Sequence, residues 1–242
     1  MRSANRISIC GTAKSAISGE LDRTLQQAEA GSEIQQRLGD VLDEVHRLSE
    51  IVRKLLLLSL ADAGQMSLYK AEVDLPAILA EMVDDLELLA PGLTVHPSIA
   101  ENLRVWGDRD LLVQVLQNLF SNAIKYNLPH GWLRVYAHQQ DEMVLVTLTN
   151  TSKEIPAADR HRIFDRFHRG DPAHTRKVEG TGLGLSLARE IARAYGGDLA
   201  LASAAPAQTS LTLSLPIAGM DDRSESERSA KSSRASPLKA TP

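Results

Sequence analysis

A single cysteine, Cys10, stands among 242 residues, so no internal disulfide and no cysteine-built zinc site can form. That usage fits a reducing compartment. Phe, Trp and Tyr make up only 4% of the chain, too few for the stacking platforms that hold single-stranded nucleic acid. There is no basic excess either. The 27 Lys and Arg against 31 Asp and Glu give a net charge of −4, which argues against a nucleic-acid partner. Long apolar runs are missing, and the most apolar stretch, LLLLSLA at 55–61, is far too short to span a bilayer. Charged and small polar residues interrupt the N-terminus, so it has no signal-peptide pattern. These absences predict a soluble, cytoplasmic chain without a membrane segment. Its 43% hydrophobic content is enough for a packed core.

What is present divides the chain by composition. Leu38, Val41, Val45, Leu48, Val52 and Leu55 recur at spacings of 3 and 4, a heptad, with Glu44, Arg47, Glu50, Arg53 and Lys54 on the outer faces. Ile17, Leu21, Leu25 and Ala28 make a shorter stripe before it, and Gly31-Ser32 separates the two, with Ser32 placed to cap the second helix. The spacing predicts a helical hairpin over 1–66 that dimerises into a four-helix bundle, or else an ordinary helix pair packed on the downstream domain. Residues 67–217 read as mixed, with helices over 76–90 and 109–127 and short strands at 93–95 and 103–106. A hairpin comes next, WLRVYAHQ (132–139) with MVLVTLTN (143–150), and then a helix after Gly184. A last strand pair is expected at 198–203 and 210–216. Helices and strands do not alternate strictly, so the expected class is α+β. Residues 218–242, rich in serine and mixed charge, cannot build a core and are expected to be a disordered tail.

Two patterns carry chemistry. The first is EGTGLGLSLAREIARAYGG at 179–197, with Gly180, Gly182 and Gly184 at alternate positions. It is not a dinucleotide fingerprint, because Leu185 stands where the third glycine belongs, and no G-K-[ST] triplet of a P-loop occurs. The glycines still let backbone N–H groups approach an anion at a helix start, although a ligand-free hinge has the same composition. The second is LLVQVLQNLFSNAIKYN (111–127). Its apolar face is Leu112, Val115, Leu116, Leu119 and Ala123, and beside it Asn118 and Asn122 lie one turn apart. Asn carbonyl oxygens suit a Mg²⁺ that also holds phosphates, and Lys125 adds a charge. A solvated face with a satisfied Asn pair is the alternative. The seven histidines form no metal cluster by spacing.

Together these stretches resemble the sensor histidine kinases. NLFSNAIKYN is similar to their N box, IFDRFHRGD (163–171) to their F box and GTGLGLSLAREIARAYGG to their second glycine box, in the same order. The resemblance spans roughly residues 10–216. It implies a two-layer α/β sandwich, the Bergerat-type ATP-binding fold shared with gyrase, Hsp90 and MutL, with a lid over about 165–181. The hairpin that precedes it resembles the dimerisation and phosphoacceptor domain. By the same resemblance Asn122 ligates Mg²⁺, and Asn118 and Lys125 join it in the catalytic set. ATP is held by Asn118, Asn122, Lys125, Tyr126, Asn150 and Ile155, together with Gly180, Thr181, Gly182, Leu183, Gly184 and Leu185. Phe164 and Phe167 are expected to anchor the lid, and Arg169, Arg176 and Lys177 are lid cations within reach of a γ-phosphate or simply solvated. The implied partners are a second copy of the chain, the receiver domain of a response regulator and an intact histidine kinase.

Two stretches depart from the family. The first glycine box, usually D-x-G-x-G-[IL], is NTSKEIP here (150–156), with Asn150 at the adenine-binding Asp position and Ser152 and Glu154 in place of glycines. A neutral amide accepts more weakly than a carboxylate, and a flipped one could donate to guanine, so relaxed base discrimination is expected. The phosphoacceptor box aligns with ISICGTAK (7–14), which puts Ser8 at the histidine position and Thr12 at the box's threonine. No histidine precedes His46, which is expected on the surface or at an interface. Two functions therefore stay open. One is an ATP-dependent histidine kinase core of a two-component system whose acceptor histidine lies on a partner chain. The other is a non-catalytic ATP-binding and dimerisation module that regulates an intact partner.

Overall fold

The computed structural model describes residues 31–66, 71–169, 180–202 and 205–218, with a few helical positions between 19 and 27. The chain divides into two compact units, Met1–Met66 and Ser67–Pro242. In the first, α1 (Glu33–Asp62) starts where Ser32 caps it, the Gln35 N–H donating to Ser32 Oγ at 3.1 Å. It stops just before Gly64, whose φ of +61° ends the helix. Its heptad positions Val41, Leu48, Val52 and Leu55 are exposed, and His46 lies on the surface as expected. The N-terminal helix of the hairpin, with Ser8 and Thr12, falls mostly or wholly outside the described residues.

The second unit runs β1 (Ala71–Asp74), α2 (Leu75–Leu89), β2 (Thr94–Ile99), β3 (Arg104–Gly107), α3 (Arg109–Lys125), β4 (Trp132–Gln140), β5 (Met143–Thr151), α4 (Gly184–Ala194), β6 (Asp198–Ala202) and β7 (Gln208–Pro216). Five strands form one mixed sheet in the order β2-β4-β5-β7-β6, with β2 parallel to β4 and the other pairs antiparallel. The alternation seen in sequence becomes one buried face. Leu133, Val135 and Ala137 of β4 sit beside Leu148 and Val146 of β5 and Leu211 and Leu213 of β7, all buried. The helices pack on that face, which gives the expected two-layer α+β sandwich. The opposite face carries hydroxyls that pair across strands, Thr147 with Thr212 at 2.9 Å and Thr149 with Ser210 at 2.8 Å.

Two elements differ from the sequence expectation. β1 lies where no strand is expected; it pairs antiparallel with β3 in a separate two-stranded sheet. β2 extends beyond 93–95 to Ile99 in spite of Pro97, because β2 is an edge strand where a missing N–H costs no ladder bond. Caps explain the sharp helix starts. Asp74 caps α2 through the Ala77 N–H at 3.1 Å, and Asp108 caps α3 through the N–H groups of Asp110 and Leu111 at 2.9 and 3.3 Å.

Candidate functional site

α3 buries Leu112, Val115, Leu116, Leu119, Phe120 and Ala123, and that apolar face fixes the rotation of the helix. Asn118 and Asn122 therefore sit half-buried at the margin of the core, not on a solvated face. The Asn118 Nδ2 is buried without a hydrogen-bond partner, and the Asn122 side chain makes no hydrogen bond among the described residues. A buried amide left unpaired costs free energy, roughly 1–3 kcal/mol. The polar edge of α3 is thus held ready for something other than its own fold. Lys125 closes the last turn, exposed, and Tyr126 is the exposed C-cap.

α4 meets that edge. Its start is uncapped: Leu183 occupies the N-cap position and offers no side-chain acceptor to the first N–H groups. A helix start of this kind favours an anion through its free N–H groups and its dipole. Leu183 is itself fully buried and anchors the turn, its carbonyl accepting from the Leu187 N–H at 3.0 Å and the Ser186 Oγ at 3.1 Å. Gly184 is the contact point. A Cβ there would stand 3.0 Å from Asn118 Oδ1, a tight contact, so the glycine lets the helix start lie close against the amide oxygen. The structure therefore brings Asn118 and Gly184 of the glycine box together.

The other glycines act differently. Gly182 has φ +70°, and its carbonyl accepts from the Phe167 N–H at 2.9 Å, tying the F-box segment to the glycine loop. Gly180 is exposed with open space around it, and Thr181 and Leu185 are half-buried. Phe164 is held by its ring: the Arg189 guanidinium of α4 stacks over it at 4.6 Å. Phe167 is exposed and anchors through its backbone alone. Arg169 is described at the edge of this segment, whereas Arg176, Lys177 and most of the expected lid, 170–179, lie outside the described residues.

Arg189 is fixed in turn by Asp198 at the start of β6, through two bonds of 2.9 and 3.2 Å, and Arg193 adds a third at 3.1 Å. The Arg189 bonds hold the Asp198 carboxyl down to about 2, from an ordinary 3.8. A depressed carboxylate contributes stability that is present above the ordinary value and is lost as pH falls from about 4 towards 2. Because both partners are partly exposed, solvent screening limits the contribution to about 1 kcal/mol or less. Urea unfolding of the parent chain and of Asp198→Asn should differ by that amount at pH 7 and converge only below about pH 2. A gap that persists in acid would show that the carboxylate charge is irrelevant to the anchor.

The end of β5 forms the third wall. Asn150 is buried, on the helix-facing side, opposite Leu133 of β4 and Thr209 of β7. Its Nδ2 donates to the Thr151 carbonyl at 2.9 Å, which leaves Oδ1 as the group able to accept from an adenine amine. This orientation runs against the flipped amide that relaxed base discrimination requires. A knot ties this strand end to the exit of α3. Asn127 Oδ1 accepts from Thr151 Oγ1, Asn127 Nδ2 donates to the Trp132 carbonyl at 3.2 Å, and the Trp132 N–H donates to Thr151 Oγ1 at 3.1 Å. Sequence reasoning missed Asn127, Thr151 and Thr209. Only Asn127 carries a signal there, as the polar residue at the helix stop.

Ile155 is half-buried, its carbonyl accepting from Arg160 Nε at 3.2 Å. It lines a cavity of about 170 Å³ with Arg160, Leu201, Gln208 and Thr209, and the asparagine edge of α3 is not part of that lining.

Magnesium fits this donor set. No group of three or more His, Cys, Asp or Glu side chains that could hold a metal occurs among the described residues. An all-protein cage is therefore absent there, and the neutral oxygens of Asn118 and Asn122 suit an ion whose remaining ligands are phosphate oxygens and water. Among the described residues no helix is long and apolar enough to cross a membrane.

Known proteins share this sequence pattern and fold. Residues 107–219 match the family described as histidine kinase-, DNA gyrase B-, and HSP90-like ATPase. The chain is 37% identical over 158 residues to the probable sensor protein PcoS of Escherichia coli, covering 65% of this chain and 34% of PcoS. It is 32% identical to the sensor histidine kinase WalK of Bacillus subtilis, over 72% of this chain and 29% of WalK. The chain thus spans about a third of the length of these relatives. Among solved structures, the nucleotide-free catalytic domain of histidine kinase ThkA matches with TM-score 0.54 and 26% identity, over 61% of this chain and 95% of that domain. Full-length ShkA in complex with AMPPNP shares the fold, with TM-score 0.70 at 20% identity, over 87% of this chain and 46% of ShkA.

Proposed function

Because this chain belongs to the sensor histidine kinases, with an ATP-binding domain of the histidine kinase-, DNA gyrase B- and HSP90-like ATPase family, we propose that it binds Mg-ATP between α3 and α4 and transfers the γ-phosphate to a histidine of a partner chain. One observation carries this reading: Asn118 faces the uncapped start of α4 across Gly184, so an amide oxygen and free backbone N–H groups meet at one point. Mg²⁺, held by Asn122 with Asn118 beside it, would neutralise phosphate charge. The chain's own groups do the rest. The α4 start and Lys125 hold the phosphates, Asn150 accepts from the adenine amine, and the Phe164–Arg189–Asp198 stack fixes the root of the lid. Phosphoryl transfer in such a site depends on positioning and charge stabilisation, not on covalent chemistry by the protein.

Residues 67–217 are the ATP-binding domain in this reading, and 1–66 the dimerisation domain. The exposed heptad positions Val41, Leu48, Val52 and Leu55 of α1 support a homodimer, because an apolar seam of this kind is buried by a partner helix. A response regulator receiver domain is the expected downstream partner, in the cytoplasm where ATP is available. The sequence offers no acceptor histidine at Ser8, so the transfer is expected in trans. Incubation with γ-labelled ATP tests this. Alone, the chain should take no acid-labile label; mixed with an intact relative whose own ATP site is disabled, it should label that relative's histidine. ATP binding without any transfer would instead support the non-catalytic module.

A further inference from the structure

One turn before Asn118, α3 carries a second buried amide that the Mg-ATP reading leaves unused. Gln114 is nine-tenths buried, and its Oε1 has no hydrogen-bond partner. The Asn118 Nδ2 is likewise buried and unpartnered. One is an acceptor and the other a donor, and residues four apart lie one above the other on a helix, where a Gln and an Asn can bond. Buried polar atoms are nearly always paired, so two complementary orphans at this spacing need an explanation. Packing does not supply one, because an apolar side chain of the same length would fill the position without an orphan.

Resting on the Mg-ATP reading above, we propose that Gln114 is a positioning residue for Asn118. Asn118 Oδ1 already faces the start of α4; when metal and phosphates engage it there, Gln114 Oε1 accepts the Nδ2–H on the opposite side. The bond fixes which end of the amide faces the nucleotide. Without it the amide is free to present its NH₂ group, which repels the cation. Gln114, Asn118 and Asn122 then act as three successive amides on one edge of α3, the first orienting the second and the last two facing the ligand.

The test uses the whole chain, AMPPNP as probe, and calorimetry with and without magnesium. Gln114→Met keeps the length and removes the acceptor. Expected results are a roughly tenfold weaker affinity for Mg-AMPPNP, the loss typical of removing a residue that orients a metal ligand, and an unchanged affinity for AMPPNP in EDTA. The melting temperature should be equal or higher, since an orphan is removed. In an Asn118→Ala background, Gln114→Met should add no further loss, because its effect passes through Asn118. Equal weakening with and without magnesium, unchanged Mg-AMPPNP affinity, or additive losses would each overturn the proposal. Failure of the parent chain to bind Mg-AMPPNP at all would overturn the nucleotide reading itself, which separates the two failures.

Discussion

Asn122→Ala is expected to weaken Mg-ATP binding by at least about 100-fold, beyond the 10–100-fold that accompanies loss of a residue merely supporting a ligand. The fold should be untouched. Asn122 lies in the interior of α3, half-buried, and its side chain makes no hydrogen bond among the described residues. Alanine is the better helix former by about 0.5 kcal/mol, so the variant should melt at or slightly above the parent temperature. A drop in affinity combined with equal or greater stability is the mark of a residue kept for a ligand at a small cost to the helix. Calorimetric titration with Mg-AMPPNP and a thermal melt followed by circular dichroism read the two quantities separately. Retained affinity would show that the metal is not held at this position.

The second large effect is expected at Gly182. Alanine there must adopt φ near +70°, a conformation that costs a residue with a Cβ about 1–2 kcal/mol. The added Cβ would also stand 2.7 Å from the Phe167 carbonyl carbon and 2.9 Å from the His168 carbonyl oxygen. These are backbone atoms, so no side chain can swing away to make room. The contact is relieved only if the F-box segment moves off the glycine loop, which breaks the bond from the Phe167 N–H to the Gly182 carbonyl. We expect a total loss of about 2–4 kcal/mol in urea unfolding, strain and lost contact together, and a fall in nucleotide affinity as the lid root detaches. Gly180→Ala is the control. Nothing lies within 4 Å of a Cβ at Gly180, so that variant should be nearly neutral in stability. Equal stabilities for the two would show that the close approach at Gly182 is not what holds the segment.

The two motifs differ in how far the sequence reveals them. The Asn118–Asn122 pair is legible there because helical periodicity is local: five apolar residues fix which face is buried, and the asparagines take their place by angle. The alternate glycines are legible only as a composition. Nothing in the string distinguishes Gly182, which is pinned against Phe167, from Gly180, which faces open space, because the atom that decides lies 15 residues earlier in the chain.

The same division runs through the molecule. Sequence alone determined α1, α3, the β4–β5 hairpin and α4, with the cap at Ser32, since each is written in periodicity and capping chemistry within a few residues. The resemblance to the sensor histidine kinases is legible there as well, through three boxes in order. Tertiary structure decided the rest. β1 exists because β3 offers it a ladder, and β2 runs through a proline because it lies at a sheet edge. The Arg189–Asp198 pair takes Phe164 as its third member, and the Asn150 amide is turned by the next residue's carbonyl. Gln114, an ordinary polar residue in the string, becomes an unpaired acceptor only once its neighbours bury it. Periodicity, caps and motifs act over a few residues; strand partners, close approaches and burial are set by segments far apart in sequence, and only the folded chain brings those together.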